Sequence, residues 1–440
     1  MKYRLIPLLF TFISIFVLCN RSTWKEYSII SWDASGYYMF LPSVFIYHDL
    51  GQLGKTDSVR YHYALDIPNY GLYSYPNTGR RVEKYPLGVA IMEMPFFFAA
   101  HYLICPATHY SADGFSIPYQ ITMSLCTIFW ASLGLFFLGM ILRRYYNDAT
   151  VIITLVILAF GTNFYCNSVF IQGLSHPFSF FLFACLLYYT DNWKRGRQYS
   201  IAAVGFLLGM LIITRPTNMI AILIPLLWPG QANGEETRGG VYKIIPLSVG
   251  FILFCTVCLI QMSYWKYTTG QWICYSYSNE GFTFLHPHFF EGLFGFRKGW
   301  FVYTPIGFII VCSIPLLWKN NRRLMFLCTL LFVVYTYVIF CWWMWFYPGG
   351  FSSRPMVDIL PLLSLPLAAL ISTLRSKKII FKTIFYVFIS LSIALNLFQT
   401  YQYSLGIIRD ANMNKAYYWR VFGKIKVTDA DRKLLLIQQE

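Results

Sequence analysis

Charge is what this sequence has least of. Asp, Glu, Lys and Arg make up only 12% of its 440 residues, while 57% are hydrophobic and 20% aromatic. A chain folded in water with that balance would leave far too much apolar surface uncovered, which excludes a soluble globular protein. Acid is scarcer still, with 19 Asp and Glu against 35 Lys and Arg. The surplus of base does not point to nucleic acid, because the cations fall in short clusters between apolar blocks and not along one face of a soluble domain. Also missing are a Walker-type loop, a Rossmann glycine fingerprint and the paired interrupted helices expected of many secondary transporters. Eleven cysteines are scattered mostly through the apolar blocks. Cys255 and Cys258 form a CxxC inside one of them, without His or carboxylate neighbours, and read as small packing residues, not as metal ligands.

What the chain does have is length of apolar run. Leu, Ile, Phe and Val recur in blocks long enough to cross roughly 30 Å of hydrocarbon as helices. The pattern predicts eleven spans, at about 5–19, 119–142, 150–168, 175–190, 199–214, 217–229, 244–265, 301–318, 324–342, 357–373 and 380–398. The N-terminal stretch MKYRLIPLLFTFISIFVLCNR has the basic start of a signal peptide but no small-residue cleavage site, so it is expected to stay as the first span.

The distribution of base supports the arrangement. With the N-terminus inside, the inner segments collect Lys2 and Arg4; Arg143 and Arg144; Lys194, Arg195 and Arg197; Arg238 and Lys243; Lys319, Arg322 and Arg323; and Arg375, Lys377, Lys378 and Lys382. Sixteen of the 35 basic residues thus fall in a handful of short loops on one side. The block at 86–104 is apolar enough to tempt a further span, but it holds Glu93 and Pro95, and counting it would move Arg143 and Arg144 outside. It is expected along the outer interface as an amphipathic helix, with a second such helix at 37–49 after Gly36, bent by Pro42. The transmembrane domain then covers 1–398, with a long first outer loop at 20–118 and a short outer tail at 399–440. No inner loop is long enough for a nucleotide-binding domain, so any chemistry belongs to the outer face.

Candidate residues for that chemistry gather beside the outer ends of the spans. Asp33 lies in SWDASGYYMFLPS, just past the first span, and a carboxylate partly shielded by aromatic rings is suited to accept a proton from a hydroxyl. It is equally a favoured helix N-cap, with a helix beginning at Ala34. Arg80, Arg81 and Lys84 precede the second interfacial helix and suit either a lipid phosphate or a headgroup anchor. Arg215 in TRPTN is an ionisable residue close to hydrocarbon, or a snorkelling cation beside a proline break. Arg297 and Lys298 adjoin Trp300 and Tyr303, which also describes a plain aromatic belt. Trp345 sits in an aromatic run before Gly349 and Gly350, followed by Arg354 and Asp358; the last two are spaced to pair at i and i+4, or Arg354 is left to bind phosphate. His176 opens the fourth span as an interfacial hydrogen-bonding residue or a catalyst.

These parts, in this order, resemble the GT-C superfamily of integral membrane glycosyltransferases, in particular the bacterial branch akin to protein O-mannosyltransferases and aminoarabinose transferases. A first span, an acidic residue opening a long outer loop, two interfacial helices and then a bundle of spans correspond to 5–19, Asp33, 37–49 and 86–104. The EKYPLG at Glu83 to Gly88 is similar to the family's Lys-Pro-Pro-Leu element, with Tyr85 replacing its first Pro. The resemblance implies an all-α bundle in the bacterial inner membrane with its site on the periplasmic face. It implies transfer of a sugar from a polyprenyl-phosphate donor to a hydroxyl of a protein, glycolipid or glycan, by inversion. Asp33 would be the base, and Lys84 with Arg81, Arg215 and Arg354 would hold the donor phosphate. Tyr37, His176, Arg297, Trp345 and Asp358 would line the sugar and acceptor pocket. No metal or other cofactor is required, since the first outer loop has no DxD pair; lipid and acceptor are the partners, and nucleic acid is not. The competing expectations are a transporter or flippase of a lipid-linked sugar and a polysaccharide polymerase or ligase.

Overall fold

The computed structural model describes residues 2–63, 67–230, 241–319 and 321–436. Arg238, one of the expected inner cations, lies outside the described residues, as does the side chain of Lys243. Most of the rest is helix, with one short hairpin. Apolar runs that must satisfy their own backbone groups have no other economical choice.

After α1 (Leu5–Arg21) the first loop carries α2 (Trp32–Tyr38), α3 (Phe40–Phe45), α4 (Gly54–Tyr63), the antiparallel hairpin β1 (Leu72–Tyr75) and β2 (Arg80–Glu83), and α5 (Gly88–Phe98). The bundle continues with α6 (Ile117–Leu142), α7 (Asp148–Gly161), α8 (Phe164–Val169), α9 (Ser175–Lys194), α10 (Ser200–Thr214), α11 (Leu223–Leu227) and α12 (Val241–Thr269). Then follow α13 (Phe289–Phe294), α14 (Trp300–Tyr303), α15 (Pro305–Cys312), α16 (Arg322–Phe340), α17 (Met356–Leu374), α18 (Ile379–Ser404), α19 (Lys415–Val421) and α20 (Asp429–Arg432). Among the described residues, seven helices are long and apolar enough to cross a membrane: Lys2–Arg21, Gly88–Ala107, Ile117–Leu142, Ile244–Thr269, Arg322–Phe340, Met356–Leu374 and Ile379–Ser404. Four more apolar helices are shorter: Asp148–Gly161, Ser200–Thr214, Pro216–Leu227 and Pro305–Lys319.

Side-chain contacts define two ends of the bundle. At one, Ile30 donates to Gln120 at the start of α6, and Tyr37 donates to Ser175 at the start of α9. At the other, Arg144 after α6 reaches Asp191 near the end of α9, and so does Trp228 after α11. Even the short Pro216–Leu227 segment therefore runs from one end to the other, parallel to α9: Arg215 before it meets His176 at the start of α9, and Trp228 after it meets Asp191 near the end. Gly205 and Gly250 let α10 and α12 touch backbone to backbone, since a Cβ on Gly205 would lie 1.9 Å from the Gly250 carbonyl oxygen.

The loop between α1 and α6 departs from the expected layout. The helix expected at 37–49 instead begins at Trp32 and is two short helices, with Gly36 inside the first and Pro42 inside the second. The helix expected at 86–104 begins at Gly88 and continues past Phe98 as a wider π-helical turn to Ile104. The hairpin between them was not foreseen. The tail is not loose either: Ile407, Ile408, Met413, Tyr417 and Val421 bury themselves against Tyr303 and Phe351.

Candidate functional site

Asp33 is in the first turn of α2, one residue after Trp32, whose backbone is left-handed at φ 49°. It does not cap the helix. Its Oδ1 accepts hydrogen bonds from the hydroxyls of Tyr70 at 2.7 Å and Tyr85 at 2.5 Å, and its Oδ2 accepts from Arg354 Nη2 at 2.6 Å. The carboxylate side chain is 20% exposed and the guanidinium side chain 9%, so this ion pair sits largely out of water. Burial alone pushes the Asp33 pKa up, but the Arg354 charge and the Tyr85 and Tyr70 donors outweigh it and hold it down at about 2. Burial and the nearby Asp33 raise both tyrosines, so each stays a protonated donor.

Close packing delivers these groups. Gly36 has no side chain, which lets the Tyr85 ring lie directly against α2; a Cβ there would come within 2.3 Å of the ring. Arg354 projects from the segment before α17, and a Cβ on Gly350 would meet its side chain at 2.7 Å. The backbone of that segment is strapped down from outside: Asn163 Nδ2 donates to the Ser353 carbonyl at 2.9 Å and Asn167 Nδ2 to the Phe351 carbonyl at 3.1 Å. The buried Lys298 ammonium donates to the Gly350 carbonyl, and burial lowers its pKa to about 7.

Lys84 lies one side chain away. Its ammonium is 3.0 Å from Glu280 Oε1 and stands over the rings of Tyr70 and Tyr85, at 5.3 and 5.1 Å from their centroids. Beside Glu280 opens a cavity of about 340 Å³ lined by Tyr73, Ser278, Asn279 and Trp343, within the range of small-ligand sites. Asp33 does not line it. Glu83, next to Lys84, is almost fully buried, and burial raises its pKa well above the ordinary carboxyl range.

A second polar group lies behind the first. Arg215 Nη1 is 2.9 Å from His176 Nδ1, and its Nε is 3.8 Å from Asp358 Oδ2. Asp358 also bonds His176 Nδ1 at 2.8 Å and accepts from the Tyr335 hydroxyl at 2.9 Å. Tyr37 joins the two groups, its ring packed on Tyr85 at 4.6 Å and its hydroxyl donating to Ser175 at 3.2 Å.

Of the residues singled out from sequence, the fold thus gathers Asp33, Lys84, Arg354, Tyr37, His176, Arg215 and Asp358 at one end of the bundle. Arg354 and Asp358 do not pair with each other, because each has a different partner. Three others are not brought to the cluster. Arg81 donates to Asn69 at an exposed edge of the hairpin. Arg297 donates to the Ala411 carbonyl and lies 3.5 Å from the centroid of the Phe346 ring. Trp345 stacks on His288. Sequence reasoning missed Tyr70, Glu280 and Tyr277. The last presents its ring to Tyr85 at 6.2 Å and to Trp342 at 5.5 Å. The only available signal was aromatic density in YGLYSY and YSYSNE, which a membrane protein shows throughout.

Chemically, the cluster offers three cations, Arg354, Lys84 and Arg215, each beside a carboxylate, with tyrosine hydroxyls between them. Such a wall can bind an anion and take a proton next to it. Compared with family models, curated proteins and solved structures, the chain matches none.

Proposed function

We propose that this chain is a glycosyltransferase of the GT-C type, moving a sugar from a polyprenyl-phosphate donor to an acceptor hydroxyl on the outer face of a bacterial inner membrane, through eleven spans with the N-terminus inside. The observation that carries this reading is the bonded set Asp33–Arg354–Tyr70–Tyr85, which ties the first outer loop to the segment before α17 across 321 residues.

In the proposed reaction the acceptor hydroxyl gives its proton to Asp33 while its oxygen attacks the anomeric carbon. The bond from that carbon to the phosphate oxygen breaks, and polyprenyl phosphate departs with the electron pair, inverting the sugar. Lys84, Arg215 and Arg354 match the charge that develops on the leaving oxygen. A carboxylate held at a pKa of about 2 is a weak base, so the ion pair is a resting state. An arriving phosphate competes with Asp33 for Arg354 and with Glu280 for Lys84. Once the guanidinium turns to phosphate, burial is the larger influence left on Asp33 and strengthens it as a base. The donor thereby switches on the residue that activates the acceptor. The cavity beside Glu280, with Trp343 and Tyr73 on its wall, suits the sugar.

The test compares a strain lacking the chain with strains restored by wild type or by Asp33→Asn. Mass spectrometry of envelope glycans, glycolipids and glycoproteins is expected to show one sugar missing in the deletion and in Asp33→Asn, with normal protein levels, and present with wild type. Full restoration by Asp33→Asn would overturn the reading.

A further inference from the structure

We propose that the opposite end of the bundle holds a binding site for an anionic glycerophospholipid, with Lys194 and Arg195 receiving its phosphodiester. This inference is independent of the transferase reading. A cavity of about 310 Å³ opens there. Its polar lining, the rim, is Tyr145, Asp191, Lys194, Arg195, Trp228 and Asn321, and its leucine lining, the floor, is Leu317, Leu324 and Leu365. That pairing of cations with leucines matches a molecule with a charged head and an apolar tail.

The rim is a built structure and not a solvated run of charge. The Asp191 side chain is 3% exposed and fully engaged: it accepts from Arg195 Nε at 2.7 Å, Trp228 Nε1 at 3.3 Å, Arg144 and Tyr145. Arg144 also donates to Asn192 Oδ1 at 2.6 Å. Three cations, Arg144, Lys194 and Arg195, thus stand against one carboxylate among the described residues. Among the described residues Lys194 has no carboxylate or carbonyl partner; its ammonium rests 4.2 Å from the centroid of the Trp193 ring. That ammonium borders the same cavity as the leucines, within side-chain reach of a headgroup seated there. The level is right for a headgroup. Close by, Arg322 stacks on the half-exposed Trp318 at 4.4 Å, the pairing of ring and cation usual at a membrane surface. Basic pockets between membrane helices recognise anionic headgroups through this chemistry.

The full chain in detergent is titrated with phosphatidylglycerol, with zwitterionic phosphatidylethanolamine of the same acyl chains, or with inorganic phosphate, and bound mass is read by native mass spectrometry. Phosphatidylglycerol is expected to be retained over phosphatidylethanolamine. Lys194→Gln, which removes an ammonium with no hydrogen-bond partner among the described residues, is expected to weaken retention about fivefold, the worth of roughly 1 kcal/mol per cation. Leu324→Trp fills the floor without changing charge and is expected to abolish it, with the melting temperature of each variant confirming the fold. Equal retention of the two lipids, or retention untouched by both variants, overturns the proposal. So does complete displacement of lipid by millimolar phosphate, which would make this a site for a free anion.

Discussion

Gly36 is the tightest contact of the candidate site. A Cβ there would lie 2.3 Å from Tyr85 Cδ2 and 3.0 Å from Glu83 Oε1, so Gly36→Ala must move the Tyr85 ring and the hydroxyl it holds on Asp33. Overpacking of this kind costs about 1–3 kcal/mol. The expected outcome is a lower melting temperature together with about tenfold slower transfer, and unchanged transfer in a destabilised variant would remove Tyr85 from the chemistry. Asp33 itself sets a dependence on pH. Its folded pKa of about 2 lies below the ordinary 3.8, so the stability it contributes is complete above about pH 4 and disappears as pH falls from there through 2. The whole shift is worth about 2 kcal/mol. The stability difference between wild type and Asp33→Asn, measured by denaturant unfolding, should be flat around neutrality and shrink only in that acid window. Catalysis should behave differently. If the donor phosphate draws Arg354 away, the acid limb of kcat, which reports the bound complex, falls at higher pH than the acid limb of kcat/KM, which reports the free enzyme. Coincident limbs would count against that exchange.

At the scale of elements, the segment before α17 acts as a strap. Asn163 and Asn167 on one side and Lys298 on the other hold its carbonyls, and Arg354 is aimed by their combined grip. Asn167→Ala removes one of these donors and leaves the Phe351 carbonyl without it, at a cost of about 1–3 kcal/mol. Donor KM is expected to rise along with the loss of stability, since a loosened Arg354 meets phosphate less often. A variant that melts earlier yet keeps its KM would show that the strap is only structural. This scale also separates what was legible in the sequence from what was not. The long apolar runs read correctly as helices because a chain in hydrocarbon has little other choice. The start of α2 did not, because it turns on one left-handed residue, Trp32, which no propensity favours. The hairpin was hidden because four-residue strands rich in Tyr and Arg give too little alternation to register. Lys84 was visible as a cation, but its partner Glu280 lies 196 residues away, and nothing local announces such a pair. Asp33 and Arg354 were each visible for the same reason, as rare charges beside apolar runs, while their mutual bond comes from packing alone.

For the whole molecule, the question is which helices cross and which only rest at the surface. Gly88–Ala107 has the length and composition to cross, but its contacts argue otherwise. Gly88 abuts Thr214 at the end of α10, the end that carries Arg215 and the candidate site. Thirteen residues later, His101 hydrogen-bonds Tyr119 at the start of α6, beside the Gln120 that binds Ile30. Between them the Met92 carbonyl accepts from Trp130 Nε1 at 3.1 Å, so the helix runs back along the first half of α6 and does not reach the Arg144 end. The bond from Tyr37 to Ser175 imposes the same answer, because an even number of crossings must separate residues that touch. If α6 crosses inward to Arg144 and α7 returns, the count is complete, and a third crossing by Gly88–Ala107 would pull Tyr37 and Ser175 to opposite faces. The prediction is read by labelling sealed vesicles with a membrane-impermeant maleimide, in a chain whose exposed Cys19 and Cys312 are replaced by serine. Cysteines placed at the exposed Lys55, Thr108 and Ser278 should react from one side, and a cysteine at the exposed Arg197 only after the membrane is opened. Lys55→Cys reacting from the opposite side to Thr108→Cys would mean that Gly88–Ala107 crosses. In that case the contacts joining Asp33, Lys84 and Glu280 to the rest of the site could not all form in a membrane.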